Sequence, residues 1–569
     1  MRIGLGLGLT QGGQTIRPEA QILADFIRDR YRGAPGPGLL DLFDFAAAGN
    51  RTYVNALGHV MTAAINEPRS GHHAYDAGLG QWMPVGLLQE PAGQNDINWS
   101  EDLSNWDTSA LSSLTASGTI AGLPAWEIVD SDAVTYRNIA VPMNPVTGIN
   151  TVSVKVRKAV APTALFACRT TWNDGGSKYA GMSFNAQTGV VTSKWDADGK
   201  IAEGVVDQGD HWIAWYAYDS TTFTATSLEI FPSYFDMSGS DGGAHTGTQV
   251  VTAVMSEPGH IPGGSSYIKT TGTPLARARD SLELSPLTLA KLLVRHNRAP
   301  NLVQDGAWTL GSNWTDTAGD LTHAAGSTSN AKQTGQGVEA GATYLVEYDI
   351  TDSDDAGFVA LRLGDIGTNQ AVTTPGDNGS YALLAVADTV DDSFALHCDA
   401  ALTATFTNIR LRKVAMPTRI LDSAEIQDLT LFMAGSMTYV DEDAFSTVVP
   451  LSWTESGSNF IEWRLSTSGS ASGKFYAVQK TNDVQTAVQQ ADAQSLPGAN
   501  VPFSWAAYHS NAGVNLSHDG TLRVAVLTPN LPDLAGSPIQ FAPTGIVTLA
   551  RFGLILGASG DRLIEGLSK

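Results

Sequence analysis

The chemistry open to this sequence rests mainly on its aromatic rings. Trp212 and Trp215 flank Asp210-His211 in an extended run that continues through Tyr216 and Tyr218. Trp308 and Trp314 stand in a Gly/Ser/Asn-rich stretch. Indole and phenol rings offer flat, weakly polar faces, and the C–H face of a sugar stacks on such a surface without needing charge. The same spacing suits the core of a β-sandwich, where large aromatics dominate packing. Trp212, Trp215, Trp308 and Trp314 are therefore the candidate ligand-binding residues, with Trp308 and Trp314 the better placed for exposure.

Other constellations are weaker. Asp349, Asp352, Asp354 and Asp355 form an acidic cluster of the oxygen-rich type that Ca²⁺ prefers, so a structural calcium is conceivable, but the spacing of a helix–loop–helix calcium site is absent. His72, His73 and Asp76 could ligate a transition metal, though a surface turn explains them as well. Glycan cleavage needs two carboxylates about 5 to 9 Å apart. The Glu-x-Asp-x-x-Glu strand pattern is missing after residue 416, and neither Glu425 with Asp428 nor Glu442 with Asp443 completes it. Nucleophile-elbow, P-loop and dinucleotide motifs are also absent. The expectation is a binding protein, with no enzymatic role and no cofactor.

Composition narrows the classes further. Asp and Glu number 57 against 34 Lys and Arg, a net charge of −23. That disfavours nucleic acid and anionic membrane surfaces as partners. No run of about 18 apolar residues could span a bilayer. Cys168 and Cys398 are too few for a disulfide framework. Charged residues are only 16% and glycines number 58, the balance expected of short strands joined by tight turns.

These elements must position the rings. Pro18, Glu19 and the terminal Arg28, Arg30 and Arg32 read as a helix over 17–32, with Ile22, Leu23, Phe26, Ile27 and Tyr31 in one apolar stripe. Packing on its own chain and docking to a partner both suit that stripe; the expectation is particle attachment and self-assembly. Beyond it the reading is all-β. Thr151-Val152-Ser153-Val154-Lys155-Val156 alternates with period two, as does Tyr344 to Ile350. Breakers at Pro35-Gly36-Pro37, Pro91, Pro286 and Pro417 divide the chain. The predicted units are an anchor over 1–35, an extended attachment region over 36–91, a jelly roll over 92–285, a connector over 286–300, a carbohydrate-binding-module-like jelly roll over 301–415 and a concanavalin- or laminin-G-like sandwich over 416–569.

Several blocks carry a resemblance. They are Asn50 to Ala64 followed by Asn66-Glu67-Pro68-Arg69, then Gly86-Leu87-Leu88-Gln89-Glu90-Pro91-Ala92, Ser100 to Trp106, and Ser265 to Asp280. In order and spacing they resemble segments of tailed-phage and gene-transfer-agent fibre or head-spike proteins, whose modules are carbohydrate-binding jelly rolls. Gly93-Gln94 and Lys269 depart from that pattern at loop positions. A looser likeness to carbohydrate-binding modules runs from Asn301-Leu302-Val303 through Trp308 and Trp314 to Phe406-Thr407-Asn408-Ile409-Arg410-Leu411.

The resemblance implies a virion component, exposed on the particle, attached to capsid or tail proteins by its N-terminus and binding host surface polysaccharide through its distal sandwiches, as a homo-oligomer and most naturally a trimer. A purely structural decoration protein and a capsule depolymerase are the alternatives. The acidic balance favours a neutral or weakly charged glycan, and the start Met1 to Leu9 lacks the apolar block of a secretory signal.

Overall fold

The computed structural model describes residues 9–11, 14–16, 20–33, 38–173, 177–195, 199–221, 225–240, 245–296, 298–354, 356–364, 367–373, 378–388, 391–415, 428–441, 446–489, 497–527, 530–557 and 559–569. Over these residues the chain is all-β, built as tandem β-sandwiches. Each sandwich follows from alternation: successive side chains on a strand face opposite ways, so one set fills a core. No helix among the described residues is long and apolar enough to cross a membrane.

In the first sandwich, the strand Ile149–Arg157 lies between Gly247–Pro258 and His211–Asp219 in a six-stranded sheet. It faces a five-stranded sheet centred on Ala164–Asn173 and Ala225–Asp236. Val152, Val154 and Val156 meet Phe166, Phe184 and Ile230 in the core. In the second, two five-stranded sheets enclose Trp314, Tyr348, Leu361, Leu396 and Phe406. The connector is a helix, Pro286–His296, whose Leu289, Ala290, Leu293 and Val294 join the core of the third sandwich.

The third sandwich is where the structure overturns the N-terminal reading. The predicted helix over 17–32 is instead two short strands, Ile22–Asp25 and Arg30–Arg32, joined by a turn in which Asp29 adopts φ 52°. Ile22–Asp25 pairs with Ile546–Leu556, placing Ile22 opposite Leu554. Ile22 and Phe26 are buried in the core of this sandwich, Tyr31 packs against it, Leu23 packs against a separate cluster of Phe432, Ile555 and Ile564, and only Ile27 is exposed. The apolar stripe thus closes its own fold and is not free for particle attachment. The predicted division fails here too: Phe43–Ala46 and Ser281–Leu284 complete the opposite sheet, and Gln81–Gln89 pairs with Ile546–Leu556. The breakers at Pro35-Gly36-Pro37 and Pro417 lie outside the described residues.

Candidate functional site

Burial decides which rings could meet a ligand. Trp314 is 5% exposed, wedged between His323 and Phe406 with ring centroids 4.9 and 5.6 Å away. Trp212 lies in the first core and donates its indole N–H to the Ala186 carbonyl at 2.8 Å, while the Lys158 ammonium sits 4.1 Å from the ring. Trp215 is capped by Gly204, where a Cβ would come within 2.8 Å of the indole nitrogen. These three cannot stack on a sugar, and the expectation for them is corrected. Trp308 is half-buried, 5.8 Å from the core ring of Phe394.

The more capable arrangement lies on the outer face of the second sandwich. Asn330, His397 and Ala360 occupy one register row across the strands Ser329–Gln333, Phe394–Cys398 and Val359–Leu363. Lys332, Ala395 and Arg362 occupy the next row. Ala331, Leu396 and Leu361 point inward, so alternation sends these rows outward. The small Ala360 and Ala395 are fully covered, so the polar head groups beside them form a platform.

Its hydrogen bonding is specific. The Asn330 side-chain oxygen can only accept, so the His397 Nδ1–H donates to it at 2.7 Å and the Arg362 guanidinium at 3.4 Å. Burial, reinforced by Arg362, lowers the His397 pKa below its usual value. The neutral ring then leaves Nε2 as an acceptor. Neither Nε2 nor the Asn330 amide N–H bonds any described residue. Arg362 Nε donates to Asn369 at 2.7 Å, Lys332 lies 3.6 Å from Asp391, and the half-buried Phe358 ring stands 6.1 Å from His397. The sequence reading missed these residues. The alternating SNAKQ and VALRL runs were the available signal, but they do not reveal which strands become neighbours.

Metal-binding expectations meet a different geometry. Asp349 accepts from the Asn408 amide at 2.6 Å, and Asp354 accepts from the Thr403 N–H at 3.0 Å; Asp355 lies outside the described residues. His72 Nδ1 accepts from the Val54 N–H, and Asp76 accepts from the Gly78 and Leu79 N–H groups. No group of three or more His, Cys, Asp or Glu suited to a metal ion occurs among the described residues. Asp428 accepts a hydrogen bond from Ser559; Glu425, Glu442 and Asp443 lie outside the described residues.

Three of the four resembling blocks converge on one buried ion network, while Ser100 of the remaining block bonds Tyr267 and Thr270. Arg69 pairs with Glu90 at 2.5 Å and with Asp280. Arg51 pairs with Asp280 at 3.0 Å, and Arg277 reaches Glu90 at 3.3 Å. Ser266 donates its N–H and hydroxyl to Glu90 at 2.7 and 2.5 Å. Burial pushes the Glu90 carboxyl up, but Arg277, Arg69 and the Ser266 bonds outweigh it and hold it at about 2. The nearby Glu257, held by the Ser265 N–H and hydroxyl, is pushed above its usual range by burial. All five network side chains are essentially inaccessible. They are scaffold, and ligand contact falls elsewhere.

No family model and no curated protein matches the chain. Among solved structures it is similar to a truncated AlyQ with CBM32 and alginate lyase domains, at 10% identity over 82% of this chain and 99% of that one, with a TM-score of 0.17. It is also similar to the arabinofuranosyltransferase AftD from Mycobacteria, at 10% identity over 90% of this chain and 39% of that one, with a TM-score of 0.16. TM-scores this low mark no common chain path.

Proposed function

We propose that this chain is an adhesive fibre or spike protein, displayed on a phage or gene-transfer-agent particle, that holds cell-surface glycan on the platform of its second sandwich. The observation that carries the reading is the hydrogen-bonding pair on that platform, His397 at 8% exposure and the half-buried Asn330, whose remaining acceptor and donor no described residue fills. A neutral His397 Nε2 accepts while the Asn330 amide donates, and each sugar hydroxyl both donates and accepts. Arg362 adds a guanidinium charge beside them while bonded to Asn369 and Asn330, and Phe358 offers an apolar edge. The reading is of binding without bond cleavage.

The particle assignment rests on the resembling blocks. The meeting of three of the four in one ion network supports reading them as the framework of a shared module. With the 22–31 stripe built into the third sandwich, particle contact falls to other surfaces. Individual sites of this shallow kind are weak, and several copies on one particle compound them through avidity.

The test is binding of the labelled full chain to a panel of purified capsular and lipopolysaccharide glycans. The reading expects retention on at least one glycan, little change with salt, and at least tenfold weaker binding for Arg362→Ala. Absence of binding across glycans from cells that the particle recognises would count against it.

A further inference from the structure

Lys155 stands on the strand Ile149–Arg157, whose Val152, Val154 and Val156 fill the first core. Alternation therefore turns Lys155 to the outer face of that sheet. The face is covered, and Lys155 is only 9% exposed. Its ammonium forms no hydrogen bond or ion pair with any described residue. The opposite charge acting on it is Asp210, whose carboxylate already lies 2.7 Å from His211 Nδ1. Glu90, which lines the same cleft and acts on His72, is held by Arg69 and Arg277. Buried charges in folded proteins are ordinarily paired, so this one stands out.

The amine lines a cleft between the first sandwich, the hairpins of residues 51–89 and the edge of the third sandwich. The cleft offers about 120 Å³ of accessible space. Tyr53, His72, Gln208, Tyr267 and Asn500 share its wall. Burial lowers the His72 pKa to about 4, and its Nδ1 accepts from the Val54 N–H at 3.1 Å. The ring proton is therefore on Nε2, a donor with no protein partner among the described residues. Gly264 follows the cleft wall at φ 74°, where a Cβ would come within 2.8 Å of the Ser153 hydroxyl, so the wall is shaped around a close approach. Burial lowers Lys155 to about 8, against the pull of Asp210, which leaves it mostly charged at neutral pH.

We propose that this cleft is an oxyanion site, in which Lys155 and His72 hold a carboxylate or phosphate group while Tyr53, Gln208 and Asn500 face the remainder of the ligand. A sugar acid and free phosphate both supply that chemistry. The site stands apart from the platform of the second sandwich and does not depend on it.

The experiment is isothermal titration of the full chain with glucuronate, inorganic phosphate and glucose at constant ionic strength, for wild type and Lys155→Met. Wild type should bind glucuronate or phosphate, Lys155→Met should bind them at least tenfold more weakly, and any glucose signal should be unchanged by Lys155→Met. Glucuronate alone identifies a sugar acid, and phosphate alone identifies free phosphate. Independently of that variant's folding, acetylation of Lys155 in wild type, followed by mass spectrometry, should slow at least tenfold under the anion that binds. Neither anion binding, equal anion binding by Lys155→Met, glucose binding that Lys155→Met weakens as much as glucuronate binding, or unprotected Lys155 acetylation would each overturn the proposal.

Discussion

Replacing Glu90 by Gln should cost far more than its single charge suggests. The carboxylate sits between Arg69 and Arg277 and accepts from both the N–H and the hydroxyl of Ser266. Its pKa is held at about 2 against an ordinary 4.5, which corresponds to about 3 kcal/mol of native-state preference for the ion. Removing one partner of a buried pair costs about 3 to 5 kcal/mol, because two guanidiniums are left short of an anion. Urea unfolding followed by tryptophan fluorescence should therefore show a loss of about 3 kcal/mol in the unit that holds Trp82 and Trp99. The pH dependence has a definite sign. A carboxyl depressed in the folded state stabilises above pH 4.5, and that contribution disappears as the pH falls toward 2. Glu90→Gln should lack that acid limb. Adding Arg277→Met rebalances the charge, so the double variant should lose less than the two single losses combined. A cost below about 1 kcal/mol for Glu90→Gln would refute the network as a scaffold element.

Four further outcomes follow from the geometry. Trp314→Ala should destabilise the second sandwich by about 3 to 5 kcal/mol, as an emptied core site does, whereas Trp308→Ala should cost distinctly less; differential scanning calorimetry separates them. Deleting residues 1–33 should leave the third sandwich open to limited proteolysis, because it strips Ile22, Ala24 and Phe26 from the core and uncovers the strand Ile546–Leu556. Burial lowers the pKa of His509 to about 3, so the stability of the third sandwich should be complete above pH 6.5 and fall by about 1.4 kcal/mol per pH unit below it; pH-dependent urea midpoints read this slope, and His509→Gln should flatten it. Gly86→Ala should break the pairing of Gln81–Gln89 with Ile546–Leu556, since Gly86 holds φ 115° and a Cβ would collide with the Leu549 carbonyl; loss of amide protection on those strands checks it.

The strands were legible wherever alternation was strong. Thr151 to Val156 and Tyr344 to Ile350 lie in strands, with Val152, Val154 and Val156 inward as their period requires. The N-terminal segment misled because Ile22, Leu23, Phe26, Ile27 and Tyr31 fit a helical stripe as well as two strands about a turn. What decides between them is the partner strand Ile546–Leu556, more than 500 residues on, and no local propensity carries that contact. The resembling blocks were visible as blocks, yet their role as an ion network became apparent only when residues about 200 positions apart met. The platform was invisible for the same reason: Asn330, Arg362 and His397 are ordinary until three strands fall into register. Aromatic type alone did not separate exposed rings from buried ones, because Trp314 and Trp212 serve the cores that their composition also predicts.

The decisive question is where glycan sits. A crystal structure of the full chain soaked with an oligosaccharide that it retains tests this directly. Sugar density is expected over Asn330, Arg362 and His397, with a hydroxyl within hydrogen-bond distance of His397 Nε2. Binding should also weaken as the pH falls through the lowered His397 pKa, since protonation removes that acceptor. Ordered sugar on another surface, with the platform bare at saturating ligand, would contradict it.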